Sequence, residues 1–268
     1  MLKDITLGQY FPGNSVVHRL DPRTKLLLLI VYIVALFVAV SWISYAVMLI
    51  CLCTVIAISK IHPKAILRAM KPLVMILIFT AVLNIFFSQG ETVLVSFWKL
   101  TITLEGLLRA VQMMVRILML VSGTFLLTYT TSPIALTDAL ESLLGPLKAI
   151  HVPVHELSMM MCIALRFIPT LIEETDKIMS AQRSRGADFE NGSLMERVKA
   201  LIPILVPLFI SAFRRADELA TAMECRCYHG GEGRTKMKLL RYGRNDYIAF
   251  LLGIVLLAVI FTLVHFGL

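Results

Sequence analysis

Residues 26–58 read LLLLIVYIVALFVAVSWISYAVMLICLCTVIAI, 33 positions with almost no polar interruption. As a single α-helix this run would extend roughly 50 Å at 1.5 Å per residue, against a hydrocarbon core of roughly 30 Å. It has to break. The cluster Ser41-Trp42-Ile43-Ser44-Tyr45 stands at its middle, with the hydroxyls and amphipathic rings that belong at a membrane–water interface. The run therefore reads as two short spans joined by an interfacial turn.

Outward from this hairpin, further apolar runs occur at Leu73–Phe87, at about Leu104–Thr128 and at Tyr247–Phe266, giving five spans in all. Composition agrees: of 268 residues 58% are hydrophobic and only 16% charged, and the mean hydropathy is +0.81, far from a soluble globular domain. The same figures exclude intrinsic disorder, a coiled coil and a secreted disulfide scaffold. Five cysteines, Cys51, Cys53, Cys162, Cys225 and Cys227, form an odd set, three of them in strongly apolar stretches, so no structural disulfide is expected. The N-terminus begins with a polar, turn-rich stretch that includes Gly8, Pro12, Gly13, Asn14, Asp21 and Pro22, and no cleavable signal peptide is expected there.

The net charge of +8 does not indicate nucleic acid, because the cations avoid the apolar runs and gather between them. Residues 1–25 hold 4 Lys+Arg, the basic loop expected over 59–72 holds 4 (Lys60, Lys64, Arg68, Lys71), residues 88–103 hold only Lys99, and residues 131–245 hold 15. The positive-inside rule places the first, second and last of these in the cytoplasm, and the C-terminus outside. The expected organisation is a cytoplasmic segment over 1–25, a four-span membrane subdomain over 26–130, a cytoplasmic region over 131–245 and a last transmembrane helix over 246–268.

Within 131–245, two apolar pieces invite reading as spans: Leu157–Ile172 (LSMMMCIALRFIPTLI) and Ala200–Phe213 (ALIPILVPLFISAF). The first carries Arg166 and Pro169. The second has 14 residues, about 21 Å of helix, and carries Pro203 and Pro207. Each continues into a charged, helix-favouring stretch, Glu173–Arg185 and Arg214–Arg226. Both therefore read as long helices that enter at the membrane surface and end in the cytoplasm, and the fold class is all-α, a polytopic membrane protein with about five spans and long interfacial helices.

A shift of 41 residues superimposes the two charged stretches: Asp176 falls on Asp217, Ala181 on Ala222 and Arg185 on Arg226. Each arginine has small neighbours, Ser184 and Gly186 in one copy, Cys225 and Cys227 in the other. Turn formers follow, Asp188–Gly192 and His229–Gly233, so two helix C-termini each present one guanidinium between residues that allow close backbone approach. On spacing alone such an arginine reads in two ways: as a complement to the helix macrodipole, worth roughly 0.3–1 kcal/mol, or as a side chain inserted into a groove on a partner. The second copy lacks the glycine after its arginine, and its helix ending is expected to rely on Gly230 and Gly231.

At these residues the sequence resembles the transmembrane coupling component of energy-coupling factor transporters, the modular ABC-type importers of vitamins and metal ions. The resemblance covers essentially the whole chain. It rests on Gly8-Gln9-Tyr10-x-Pro12-Gly13-x-Ser15, on His18-Arg19-Leu20-Asp21-Pro22-Arg23-Thr24-Lys25, on Ala181-Gln182-Arg183-Ser184-Arg185-Gly186-Ala187-Asp188, and on Glu224-Cys225-Arg226-Cys227-Tyr228 followed by Gly231-Glu232-Gly233-Arg234-Thr235. It implies that Ala-Arg-Gly-like motifs end two coupling helices and dock into two cytoplasmic ABC ATPase subunits. The docking residues would be Ser184, Arg185, Gly186, Cys225, Arg226 and Cys227. It also implies a separate membrane-embedded substrate-binding subunit, and ATP bound by the ATPases rather than by this chain.

Other clusters carry less chemistry. His151-x3-His155-Glu156 has the wrong order for a zinc helix, with Pro153 between the two imidazoles. Gly230–Gly233 lacks the spacing of a phosphate-cradling loop, and two thiolates at Cys225 and Cys227 leave a tetrahedral metal site half empty, so no metal or cofactor is expected on this chain and no enzymatic activity. Arg109 and Arg116 lie seven apart on one face of an apolar span, where a charge is costly. They read equally as functional groups or as cations that snorkel or pair with Glu105 or a neighbouring helix. Met159-Met160-Met161 reads as packing, or as an adaptable thioether surface for exchanging substrate subunits. A self-sufficient transporter or channel would need polar residues lining a bundle, of which the spans offer few, and an intramembrane enzyme an intact metal or nucleophile constellation, which the sequence does not offer.

Overall fold

The computed structural model describes residues 10–87, 92–97, 100–187, 189, 193–231 and 239–267. Of the motif residues, Gly8, Gln9, Asp188 and Glu232–Thr235 lie outside these. In chain order the helices are α1 (Val16–Arg19), α2 (Pro22–Val38), α3 (Trp42–Ser59), α4 (Pro63–Met70), α5 (Val74–Phe87), α6 (Leu104–Thr130), α7 (Pro133–Leu143), α8 (Val154–Ser184), α9 (Leu194–Glu224) and α10 (Arg244–His265). The architecture is an all-α polytopic membrane protein. Among the described residues one antiparallel hairpin, β1 (Val93–Phe97) with β2 (Leu100–Thr103), interrupts it, formed where the β-branched residues Val93, Val95, Thr101, Ile102 and Thr103 cluster.

The long apolar run breaks as its length demands. Helix α2 ends at Val38, and Ser41 caps α3 by accepting from the Ser44 N–H. The basic segment 59–72, expected as a loop, is instead largely helical: Pro63 opens α4 at its first position, where a missing N–H costs nothing, and a single 3-10 turn, Lys71–Leu73, leads into α5.

Among the described residues five helices are long and apolar enough to cross a membrane: Trp42–Ser59, Pro63–Phe86, Leu104–Thr130, Val154–Ser184 and Arg244–His265. The number matches the expectation, but the membership differs. Helix α8 qualifies because it runs unbroken through Arg166 and Pro169 for 31 residues; α2, with 17 residues, is about 25 Å long and falls just short of these five. Apolar side chains face outward along these helices, including Met75 at 82% exposure and Phe79 at 63%. Such surface calls for lipid or an apolar partner against it.

The chain divides into two compact units, one of residues 8–139 with 240–268, the other containing 140–239. In the first, Ala35, Leu36, Met48, Met119 and Ile260 form a core among α2, α3, α6 and α10. Close approach is set by glycine: a Cβ on Gly123 would stand 2.8 Å from the Tyr32 ring, and one on Gly253 2.5 Å from Leu28. Small residues at helix contacts are what packing in lipid favours.

A buried polar clasp joins the ends of α2, α6 and α10. Asp21 caps α2, accepting from the Arg23 N–H at 2.9 Å, and its own N–H donates to Asp246 Oδ1 at 2.8 Å. Asp246 Oδ2 accepts from the Gly243 N–H at 2.8 Å, closing the first turn of α10. The Lys25 ammonium donates to the Thr130 carbonyl at 2.9 Å, at the C-terminal end of α6, and to the Thr131 hydroxyl at 3.2 Å. Arg23 reaches the Leu240 carbonyl at 2.8 Å and stacks over Tyr242. Asp21, Lys25 and Asp246 are all buried, so the motif His18–Lys25 is accounted for as the knot of this unit.

Candidate functional site

The second unit is built on α8 and α9. Glu174 accepts from the Ser211 hydroxyl and from Arg215 at 2.9 Å, while Gln182 donates to the Pro203 carbonyl at 3.4 Å. Later positions on α8 thus meet earlier positions on α9, and the helices run antiparallel. The Gln182 contact has a local cause: Pro207 has no N–H, so the Pro203 carbonyl one turn before it loses its helical donor, and the amide supplies one.

Both helices end in the same way. In α8 the Ala187 N–H donates to the Gln182 carbonyl at 3.0 Å and the Gly186 N–H to the Arg183 carbonyl at 3.0 Å. Forty-one residues on, the Tyr228 N–H donates to the Met223 carbonyl at 3.1 Å and the Cys227 N–H to the Glu224 carbonyl at 2.8 Å. Each is a Schellman cap, with Arg185 or Arg226 as the last residue before the left-handed position. That position is Gly186 at φ +89° in one copy and Cys227 at φ +54° in the other. The expectation that the second copy would rely on Gly230 and Gly231 is therefore corrected: Cys227 itself turns left-handed and completes the cap, and Gly230 and Gly231 act further on.

A left-handed non-glycine residue costs roughly 1–2 kcal/mol. Cys227→Gly is thus expected to stabilise the protein by about 1 kcal/mol and Gly186→Ala to destabilise it by about 1 kcal/mol, read as opposite shifts of the thermal unfolding midpoint in detergent.

Ser184, Arg185, Gly186, Cys225, Arg226 and Cys227 are all exposed, and the two arginines make no ion pair among the described residues. Because the helices are antiparallel, their C-termini lie at opposite ends of the pair. From the Pro203 contact to Glu224 is about 32 Å along α9.

The two ends differ in support. Beyond Arg226 the chain folds back so that a Cβ on Gly231 would stand 2.6 Å from the His155 ring, and His155 Nδ1 meets Glu141 Oε1 at 3.0 Å. The turn after α9 is therefore braced against the start of α8 and the end of α7. Around Gly186 a Cβ would meet none of the described residues within 4 Å.

The remaining sequence candidates separate. Arg116 is satisfied inside the first unit: its guanidinium donates to the Tyr45 hydroxyl and to the Ala39 carbonyl at 3.0 Å, filling the open C-terminus of α2 and pinning the α2–α3 turn. Arg109 is exposed and acts on Glu105 one turn earlier, whose carboxylate accepts from the Thr92 hydroxyl at 2.7 Å. Both arginines thus have partners within this chain. On α8, Met160 and Met161 are exposed and Met159 is half-buried.

Sequence reasoning missed the Asp246 clasp and the His155–Glu141–Gly231 brace. For the clasp a signal existed, an acidic residue in the first turn of an apolar helix; its partner 225 residues away had none.

Known proteins resemble this chain over nearly its whole length. The family described as cobalt transport protein, CbiQ, matches residues 13–237. An energy-coupling factor transporter transmembrane protein EcfT of Acidaminococcus fermentans is 54% identical over 267 residues, covering 99% of this chain and 97% of that protein. Proteins of the same name from Ruminiclostridium cellulolyticum, 54% identical over 92% of each chain, and from Lactococcus lactis, 44% identical over 91% of this chain and 92% of that one, match in the same way.

Proposed function

This chain belongs to the CbiQ family, as a transmembrane component of energy-coupling factor transporters, and we propose that it transmits the motion of two ATPase subunits to a separate membrane-embedded subunit that binds a vitamin or metal ion. The observation that carries this reading is the pair of helix ends: two exposed arginines that make no ion pair among the described residues, each on a cap with the same hydrogen-bond pattern, at opposite ends of one antiparallel helix pair. Each guanidinium offers five donors in a planar fork, suited to carboxylates and carbonyls in a groove. Closure of the ATPase pair displaces both docked ends, and the helix pair turns about its contact at Glu174, Ser211 and Arg215. The apolar halves of α8 and α9, with Met159–Met161 among them, carry that turn to the substrate subunit. The chain itself holds no nucleotide and catalyses no reaction.

Affinity purification from native membranes with mass spectrometry is expected to recover two ABC ATPase chains and at least one small membrane protein. ATP binding by the isolated chain, or purification without ATPases, defeats the reading.

The distribution of cations supports this orientation: N-terminus cytoplasmic, residues 131–245 on the cytoplasmic side or in its interface, and C-terminus outside. A cysteine introduced at position 268 is expected to label with an impermeant reagent in intact cells, and one at position 193 to remain unlabelled. The opposite pattern overturns this topology.

A further inference from the structure

Helix α4 has two unlike faces. Ile66 and Met70 are buried in a cluster with Leu126 and Tyr129 of α6, which fixes the orientation of the helix. Opposite them, at the i, i+4, i+7 spacing of a single helix face, stand Lys64, Arg68 and Lys71, all exposed. Lys60, in the left-handed turn just before, adds a fourth exposed cation. Among the described residues none of the four makes an ion pair, and the sequence holds no Asp or Glu from residue 22 to residue 90. Four uncompensated cations on 12 residues call for anions from outside the chain.

We propose that this face binds the headgroups of anionic membrane phospholipids. Continuity with the membrane favours lipid over an acidic protein surface. Through the turn Lys71–Leu73, α4 leads straight into the lipid-facing Val74, Met75 and Ile76 of α5. Lys71 is three residues from Val74 and Lys64 ten, so all three helix cations lie within about 15 Å of the apolar boundary, where a lipid phosphate resides. Leu67, between the cations, is 67% exposed; an aliphatic chain among lysines is the pattern of a helix lying in the interface. Beside Lys60 a cleft of 330 Å³, bordered by Asn14, Ser15 and His62, leaves room for a headgroup. Lipid held here would fasten the α4–α6 contact to the bilayer surface. This inference is independent of the ATPase reading.

The test uses the full chain, extracted from bilayers of equal parts phosphatidylglycerol and phosphatidylcholine, with lipid retained through detergent washing measured by native mass spectrometry. Wild type is expected to retain phosphatidylglycerol over phosphatidylcholine. The preference should fall roughly fivefold for each of Lys64→Gln, Arg68→Gln and Lys71→Gln, vanish when Lys60→Gln is added to all three, and weaken with salt. The charge-retaining pair Lys64→Arg with Lys71→Arg should keep it, as should a control carrying Lys148→Gln, Lys199→Gln, Arg241→Gln and Arg244→Gln, which separates the effect from net charge and from misfolding. Equal retention of both lipids by wild type, or an undiminished preference in the fourfold α4 variant, overturns the proposal. So does displacement of the lipid by inorganic phosphate at constant ionic strength, or an α4 variant that keeps phosphatidylglycerol but loses copurifying ATPase.

Discussion

The double substitution Arg185→Ala with Arg226→Ala is expected to remove both ATPase subunits from the purified complex and to abolish ATP-dependent uptake, while the membrane part still inserts. In a dry groove, removing one guanidinium leaves the partner's acceptors unpaired, at a cost on the order of 2–5 kcal/mol per site. Neither cap depends on the arginine side chain, since all its hydrogen bonds are between backbone groups. The loss is therefore of docking and not of fold. Each single variant should retain part of the assembly and still fail to couple hydrolysis to transport. Lysine at either position should rescue poorly, because a point charge cannot reproduce the planar fork. The measurement is copurified ATPase and uptake in wild type, singles and double, normalised to membrane expression; wild-type uptake by the double variant defeats the mechanism.

A second large effect is expected at the clasp. Asp246→Ala leaves the N–H groups of Asp21 and Gly243 without their acceptors and removes a carboxylate from the surroundings of the buried Lys25 ammonium. Breaking a buried charged network by removing one member costs about 3–5 kcal/mol, a large share of a typical domain's stability. The expected readout is a sharply lower unfolding midpoint in detergent and reduced membrane yield. Asp246→Asn should fall between the two, since its carbonyl can still accept one N–H while its amide meets the other donor with a donor. An unchanged midpoint in the alanine variant would show that the clasp contributes nothing to stability.

How far such features were legible in the sequence depends on range. The break in the run 26–58 followed from length alone, because a bilayer has a fixed thickness, and the matching helix ends at Arg185 and Arg226 followed from a 41-residue shift; the antiparallel packing of the two helices, set by contacts such as Glu174 with Arg215, did not. Helix α4 was hidden by its charge: Pro63 at the first position and the Ile66–Met70 spacing were present, but four cations in a short connection read as a loop. The span-like length of α8 was obscured by Arg166 and Pro169, which suggest interruption yet sit within a continuous helix. The cap at Cys227 required a left-handed non-glycine residue, which composition disfavours, and the contacts of Asp21 with Asp246 and of Gly231 with His155 join distant parts of the chain that no local pattern connects.

The unequal bracing of the two helix ends bears on how force divides between them. The end at Arg226 is clamped through Gly231 and His155 to Glu141, so displacement there passes with little give into the start of α8 and the end of α7. At the Arg185 end a Cβ on Gly186 would meet none of the described residues within 4 Å, and Gln182 lies beside the stretch of α9 where Pro203 and Pro207 have removed two backbone hydrogen bonds. Among the described residues it is the less braced end of the pair. Equal strokes at the two ends would deliver unequal work, and two ATPase subunits docked there would have mechanically distinct tasks even if their own sequences were the same.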